Sequence, residues 1–147
     1  MTYDDFRTSQ PDAHAALLAL GKCVDDAGLE KELTELVKLR VSQINGCAFC
    51  IQLHLNIARK LPVDETKLGL VAAWRDAGIF SEREMAALRW AELLTELACT
   101  SPGESDWEDL RAVFDEQEAV LLTVTVGAIN NWNRIAAGLR FPPPIPR

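Results

Sequence analysis

The chain has 147 residues, 48% of them hydrophobic and 25% charged, enough for one domain with a core of its own. Its net charge of −7 argues against a nucleic-acid partner, because phosphate binding needs clustered lysine and arginine. No apolar run approaches the roughly 18 residues of a membrane-crossing helix, and Met1 to Arg7 hold neither the basic nor the apolar region of a secretory signal. A cytoplasmic location with no membrane partner is the expectation.

From the N-terminus onward, almost every segment carries the helical period. Pro11 suits a first helical turn, and Ala13, Ala16, Leu17, Leu20, Val24 and Ala27 follow at helical spacing up to Gly28. A second helix is predicted from about Glu30 to Gln43, with Leu33, Leu36, Val37 and Ile44 on its apolar side and Asn45-Gly46 breaking it. A third begins at Cys47 and runs to about Lys60, just short of Pro62. Asp64 can cap a fourth that ends at Gly78. Capping boxes open the remaining three, at Ser81-x-x-Glu84, Ser105-x-x-Glu108 and Asp115-x-x-Glu118.

The Ser81 helix is expected to reach Ala98, with Pro102-Gly103 breaking the chain beyond it. The Asp115 helix is expected to reach Ala137, closed by Gly138, although Val120 to Val126 has strand propensity. The proline-rich tail, Phe141 to Arg147, is predicted to be extended. The expectation is an all-α fold, a single-domain bundle of about seven helices spanning residues 1–147. Trp74, Trp90, Trp107 and Trp132 read as core or subunit-interface residues.

Four cysteines in a chain of this size do not make a disulfide framework. Cys23 and Cys99 fall inside apolar helical patterns and read as buried, inert thiols. Cys47 and Cys50 differ, because a Cys-x-x-Cys pair in a cytoplasmic chain points to catalysis or metal binding. At about 100° per residue, Cys50 and His54 fall about 60° and about 20° from Cys47 around the helix axis. A helix start near Cys47 would aim its unpaired N–H groups at the thiols and draw a cysteine pKa from about 8.5 towards about 7. His54 can then take the proton of Cys50, directly or through a water.

A carboxylate would orient and charge that histidine. Glu32 and Glu35 lie on the preceding helix, and Glu35, between Leu33 and Leu36, is the more inward of the two. The competing reading of Glu35 is a structural pair with Arg40 or Arg134. For the thiols, the competing readings are an unreactive core pair and a zinc site whose fourth ligand would come from His14, Cys23, Cys99 or a carboxylate. Haem attachment needs histidine directly after the second cysteine, where this chain has Ile51. A thioredoxin fold is disfavoured for want of strands.

The segment Glu35-Leu-Val-Lys-Leu-Arg-Val-Ser-Gln-Ile-Asn-Gly-Cys47-Ala-Phe-Cys50-Ile-Gln-Leu-His54 resembles the core of the carboxymuconolactone decarboxylase/AhpD-like family. This core covers about residues 30–60. Trp90-Ala-Glu-Leu-Leu and Ile129-Asn-Asn-Trp-Asn-Arg134 resemble the rest of its alkylhydroperoxidase branch. The resemblance implies an all-α fold assembled into homo-oligomers, trimers or hexamers. It also implies a thiol-dependent peroxidase or disulfide reductase activity, with Glu35, Cys47, Cys50 and His54 at the proton-relay and redox positions. One departure stands inside the motif: the best-studied AhpD proteins carry a histidine where this chain has Phe49.

The leading expectation is therefore an oxidoreductase that reduces small hydroperoxides through a Cys47–Cys50 dithiol/disulfide cycle, with proton relay by His54 and Glu35. An external dithiol would restore the pair, and no cofactor or metal is expected. Of the two thiols, the helix dipole favours Cys47 and the nearness of His54 favours Cys50, and Cys50 is the expected attacker. The alternatives are a small-lactone lyase or isomerase using His54 and Glu35, and a non-catalytic helical assembly protein with a structural or zinc-holding Cys-x-x-Cys.

Overall fold

The computed structural model describes residues 1–146, so the last residue of the predicted extended tail, Arg147, lies outside the described residues. The helices in chain order are α1 (Tyr3–Ser9), α2 (Pro11–Asp26), α3 (Lys31–Ile44), α4 (Ala48–Ala58) and α5 (Glu65–Leu70). A 3-10 turn, Val71–Ala73, leads into α6 (Trp74–Ala77), α7 (Glu82–Thr95), α8 (Glu104–Arg111) and α9 (Glu116–Leu139). No strand occurs among the described residues, so the all-α expectation holds.

Several boundaries depart from expectation, each for a local reason. α1 was not foreseen: Thr2 caps it, accepting from Asp5 N at 3.1 Å while Asp5 accepts from Thr2 N at 2.7 Å. The predicted fourth helix divides into α5, the 3-10 turn and α6. Its buried residues Leu68, Val71 and Trp74 recur every third position, the period at which a 3-10 turn eclipses its side chains. α8 starts ahead of the predicted Ser105 cap, because Gly103 is extended and donates its N–H to Asp106 Oδ2 at 3.0 Å. α7 stops at Thr95 rather than Ala98. Gly138 lies inside α9, and Arg140 closes that helix instead, in the left-handed region at φ 56°. The strand-prone stretch of α9 stays helical behind its Asp115–Glu118 capping box, with Thr123 and Thr125 hydroxyls donating to carbonyls one turn back.

α3 is the central helix, packing on α4, α7 and α9, while α2 lies against α9. Its Leu33, Val37 and Val41 join the core shared with α4, α7 and α9, and its Leu36 and Leu39 join a second core with Leu68, Val71, Trp74 and Leu88. Burying each such side chain contributes roughly 1.5–3 kcal/mol. That stability offsets the cost of a charged residue on the same helix, Glu35, which is 0% exposed.

The thiols outside the motif are not buried: both Cys23 and Cys99 are exposed. Cys23 points off the face of α2 that buries Val24, and Cys99 lies in the turns beyond the end of α7.

Candidate active site

α3 and α4 are joined by three residues. Asn45 ends α3, Gly46 turns the chain with φ 64°, a conformation that favours glycine, and Cys47 N donates back to Ser42 O at 3.0 Å. The hairpin lays α4 on α3. Cys47 is the N-cap of α4, and its sulfur accepts the Cys50 backbone N–H at 3.3 Å. The same packing brings Glu35 Oε2 to 2.6 Å from His54 Nδ1.

Neither arginine proposed as a structural partner reaches Glu35. Arg40 pairs with Glu92 at 2.7 Å, and Arg134 donates to Asn130. Two lysines do reach it: Lys38 Nζ lies 2.8 Å from Oε1 and Lys31 Nζ 3.4 Å from it. Burial alone would raise the carboxyl pKa. The hydrogen bond and charge of His54, followed by Lys38, outweigh burial and hold Glu35 at about 2. The carboxylate is ionised, so His54 Nδ1 carries the proton of that bond and Nε2 is the open position.

The Cys50 sulfur behaves otherwise than the helix-start argument predicts. Burial first, then the hydrogen bond to the Cys47 side chain, push the Cys50 thiol up to about 12. The Asn133 amide works against this by hydrogen bonding to Cys50. Desolvation of a sulfur only 2% exposed outweighs the partial charge at the end of one helix. No hydrogen bond joins His54 to either sulfur among the described residues. A proton passing between Cys50 and His54 needs a water between them.

Cys50, His54 and Glu35 line one cavity of about 400 Å³. Cys47 does not line it. Leu17, Leu53, Ile57, Ile129 and Trp132 give it apolar walls, and Lys22, Asp25, Asp26, Lys31 and Lys38 give it a rim of both signs. Trp74 and Trp90 are buried core residues as expected, Trp107 and Trp132 pack partly buried against the core, and Trp132 also lines the cavity. Phe49 stacks on Tyr3, another lining residue, with ring centroids 5.6 Å apart. The Tyr3 hydroxyl is 2.7 Å from His14 Nε2. His14 is thus engaged on the α1 side, and Cys23 and Cys99 are exposed. Among the described residues no group of three His, Cys, Asp or Glu side chains is placed to hold a metal ion.

Lys38, Tyr3 and Asn133 belong to this site and were not singled out in the sequence. Lys38 had a signal, being one helical turn from Glu35 on the same face. Asn133 lay inside the quoted Asn130-to-Arg134 segment without a role. Tyr3 had no signal, because only the tertiary fold lays α1 over Phe49.

An all-helical chain with a buried Cys-x-x-Cys at a helix start, a histidine further along the same helix and a glutamate from the neighbouring helix bonded to that histidine, has the AhpD-like fold. The chain belongs to the carboxymuconolactone decarboxylase family, whose sequence model matches residues 11–93. It is 32% identical over 129 residues to the uncharacterized protein YdfG of Bacillus subtilis (strain 168), covering 88% of each chain. A candidate antioxidant defence protein AhpD of unknown function from Agrobacterium tumefaciens superposes with a TM-score of 0.92 and 39% identity. That match covers 99% of this chain and 100% of the other. An uncharacterized peroxidase-related protein from Ralstonia eutropha JMP134, with an alkylhydroperoxidase AhpD core, superposes with a TM-score of 0.82 and 25% identity. It covers 93% of this chain and 73% of that one.

Proposed function

We propose that this chain is a cytoplasmic thiol oxidoreductase that reduces hydroperoxides through a Cys47–Cys50 dithiol/disulfide cycle. Its subunit is a single helical domain working in a homo-oligomer, a trimer or hexamer. The observation that carries the reading is the bond of 2.6 Å between Glu35 and His54 in the cavity that Cys50 lines.

A thiol held at about 12 is ionised in only about one molecule in 10⁵ at neutral pH, so a base is required. His54 Nε2 takes the Cys50 proton through a water, while Glu35 stabilises the imidazolium. The Cys50 thiolate attacks one peroxide oxygen, the O–O bond breaks, and the sulfur becomes a sulfenic acid. The alkoxide takes the proton back from His54 and leaves as an alcohol. The Cys47 sulfur then attacks the Cys50 sulfur, forming the disulfide and releasing hydroxide, which takes the Cys47 proton as water. The two electrons come from the dithiol. An external dithiol restores the pair by exchange and is itself oxidised.

Thiol titration before and after an alkyl hydroperoxide tests the cycle. The exposed Cys23 and Cys99 are first replaced by serine so that they do not contribute. Loss of two thiols per chain, abolished by Cys47→Ser or Cys50→Ser, is the expected result. No loss, or one equivalent of tightly held zinc per purified chain, overturns the reading.

A further inference from the structure

The charged side chains around the cavity of Cys50 and His54 cancel one another: Lys22, Lys31 and Lys38 stand against Asp25, Asp26 and Glu35. Each lysine has a carboxylate partner. Lys38 Nζ lies 2.8 Å from Glu35 Oε1, and Lys22 pairs with Asp26 one turn along α2. Lys31 is held from two sides. Its Nζ donates to both Asp25 oxygens, at 3.0 and 2.8 Å, and lies 3.4 Å from Glu35 Oε1.

Asp25 and Lys31 sit at the end of the cavity away from the thiol. Lys31 opens α3, one turn ahead of Glu35, whereas the hairpin that carries Cys50 follows the other end of that helix. Cys50, His54 and Ile57 line the cavity in succession along α4, a rise of about 10 Å. A substrate with its reacting oxygen at Cys50 therefore sets its far end beside Asp25 and Lys31. An anionic group at that end finds no free cation. To bind Lys31 it must displace Asp25 or lie next to it, and like charges so close repel. The net charge of −7 adds to that repulsion. An uncharged apolar end instead meets Leu17, Leu53 and Ile57 and leaves the ion pairs intact. The volume of about 400 Å³ is that of a site for a small organic ligand.

We propose that Asp25 is a specificity-determining residue: by occupying Lys31 it turns anions away from the cavity and confines its ligands to uncharged, apolar organic molecules. The inference rests on the proposed function for the hydroperoxide at Cys50, and it names the class. The substrates are hydroperoxides whose far end is hydrocarbon, not those that end in a carboxylate.

Calorimetric titration at pH 7 with two alcohols of equal chain length, 1-octanol and 8-hydroxyoctanoate, tests this without any peroxide. They stand for the products of an uncharged and an anionic hydroperoxide. The wild type is expected to bind 1-octanol the more tightly. Asp25 is exposed, so Asp25→Asn leaves the core untouched while removing the charge that occupies Lys31. In that variant the preference for 1-octanol should shrink by about fivefold, as expected for one new, partly exposed ion pair. Adding Lys31→Met should restore the preference. Asp76→Asn removes the same charge from α6, outside the cavity, and should leave the preference as in the wild type.

An equal preference in Asp25→Asn and Asp76→Asn overturns the proposal, and so does a shift that survives Lys31→Met. Tighter binding of 8-hydroxyoctanoate by the wild type, or no binding of 1-octanol, overturns it as well. Consumption of octyl hydroperoxide by the wild type is measured alongside. The expected alcohol preferences with no consumption leave Asp25 in its role and remove the hydroperoxide reading. Consumption with an unmoved preference removes only Asp25.

Discussion

Glu35 Oε2 and His54 Nδ1 meet at 2.6 Å although 19 residues and a helical hairpin separate them. The other Glu35 oxygen is held by Lys38 at 2.8 Å, so the carboxylate is fixed at both ends and its residue is wholly buried. A carboxylate so held sets the tautomer of His54 and leaves Nε2 as the nitrogen able to accept a proton.

Replacing Glu35 with glutamine keeps the shape and removes the charge. The amide can still bond Nδ1, but it cannot stabilise the imidazolium that the proposed cycle forms when Cys50 gives up its proton. Glu35→Gln is expected to lower kcat/KM for an alkyl hydroperoxide by about 10²-fold, at an unchanged thiol count and helical content. Steady-state peroxide consumption measures it. Wild-type rates in the folded variant would remove Glu35 from the mechanism.

The same residue makes stability depend on acid. The Glu35 pKa is depressed in the fold, from 4.5 to about 2, so its contribution is present above 4.5 and is lost as pH falls towards 2. Urea midpoints of the wild type and Glu35→Gln are expected to differ most at neutral pH and to converge across that window. Lys38→Met removes one of the groups that depress the pKa, so its acid-dependent loss of stability should be smaller and complete at a higher pH than in the wild type. Parallel pH profiles for all three proteins would refute the account.

Local chemistry explains how far the sequence is legible. Ser81–Glu84 and Asp115–Glu118 form both halves of their capping boxes, because side chain and backbone lie within one turn and need no distant partner. The meeting of Glu35 with the His54 helix is readable for a similar reason, since the Asn45-Gly46 break permits little else. α1 is hidden because its seven residues bury only Phe6 and hold no periodic stripe. The pKa depression expected at Cys50 fails because sequence shows the helix end but not the burial around it. The lysines on Glu35, the Asn133 amide on Cys50 and the Tyr3–Phe49 stack depend on packing of α1, α3, α4 and α9, which no local pattern records.

The close of α9 offers a test of stability alone. Arg140 occupies the left-handed region at φ 56°, where a side chain costs about 1 kcal/mol, and it lies on the surface. Glycine removes that strain but loosens the unfolded chain, so the net gain for Arg140→Gly should be about 0.5 kcal/mol, or about 1–2 °C in Tm. Calorimetry measures it, and a lowered Tm would mean that the Arg140 side chain supports the helix end in some other way.

In the proposed cycle, the order in which the two thiols act follows from their surroundings. Cys50 faces the cavity with His54, whereas Cys47 is 3% exposed, does not line the cavity, and is fixed as the N-cap by the Cys50 N–H. A peroxide entering the cavity therefore meets Cys50 first, and Cys47 can reach only the sulfur beside it. In a background lacking Cys23 and Cys99, Cys47→Ser should accept one oxygen at Cys50 and stop at the sulfenic acid, trapped by a carbon nucleophile and seen as a single adduct on the Cys50 peptide. Cys50→Ser should give no adduct at Cys47 at the same peroxide concentration, with turnover reduced by about 10³-fold or more. A Cys47 adduct in Cys50→Ser, formed as fast as the Cys50 adduct in Cys47→Ser, would reverse the order. The N-capping sulfur would then be the attacker and Cys50 the thiol that resolves it.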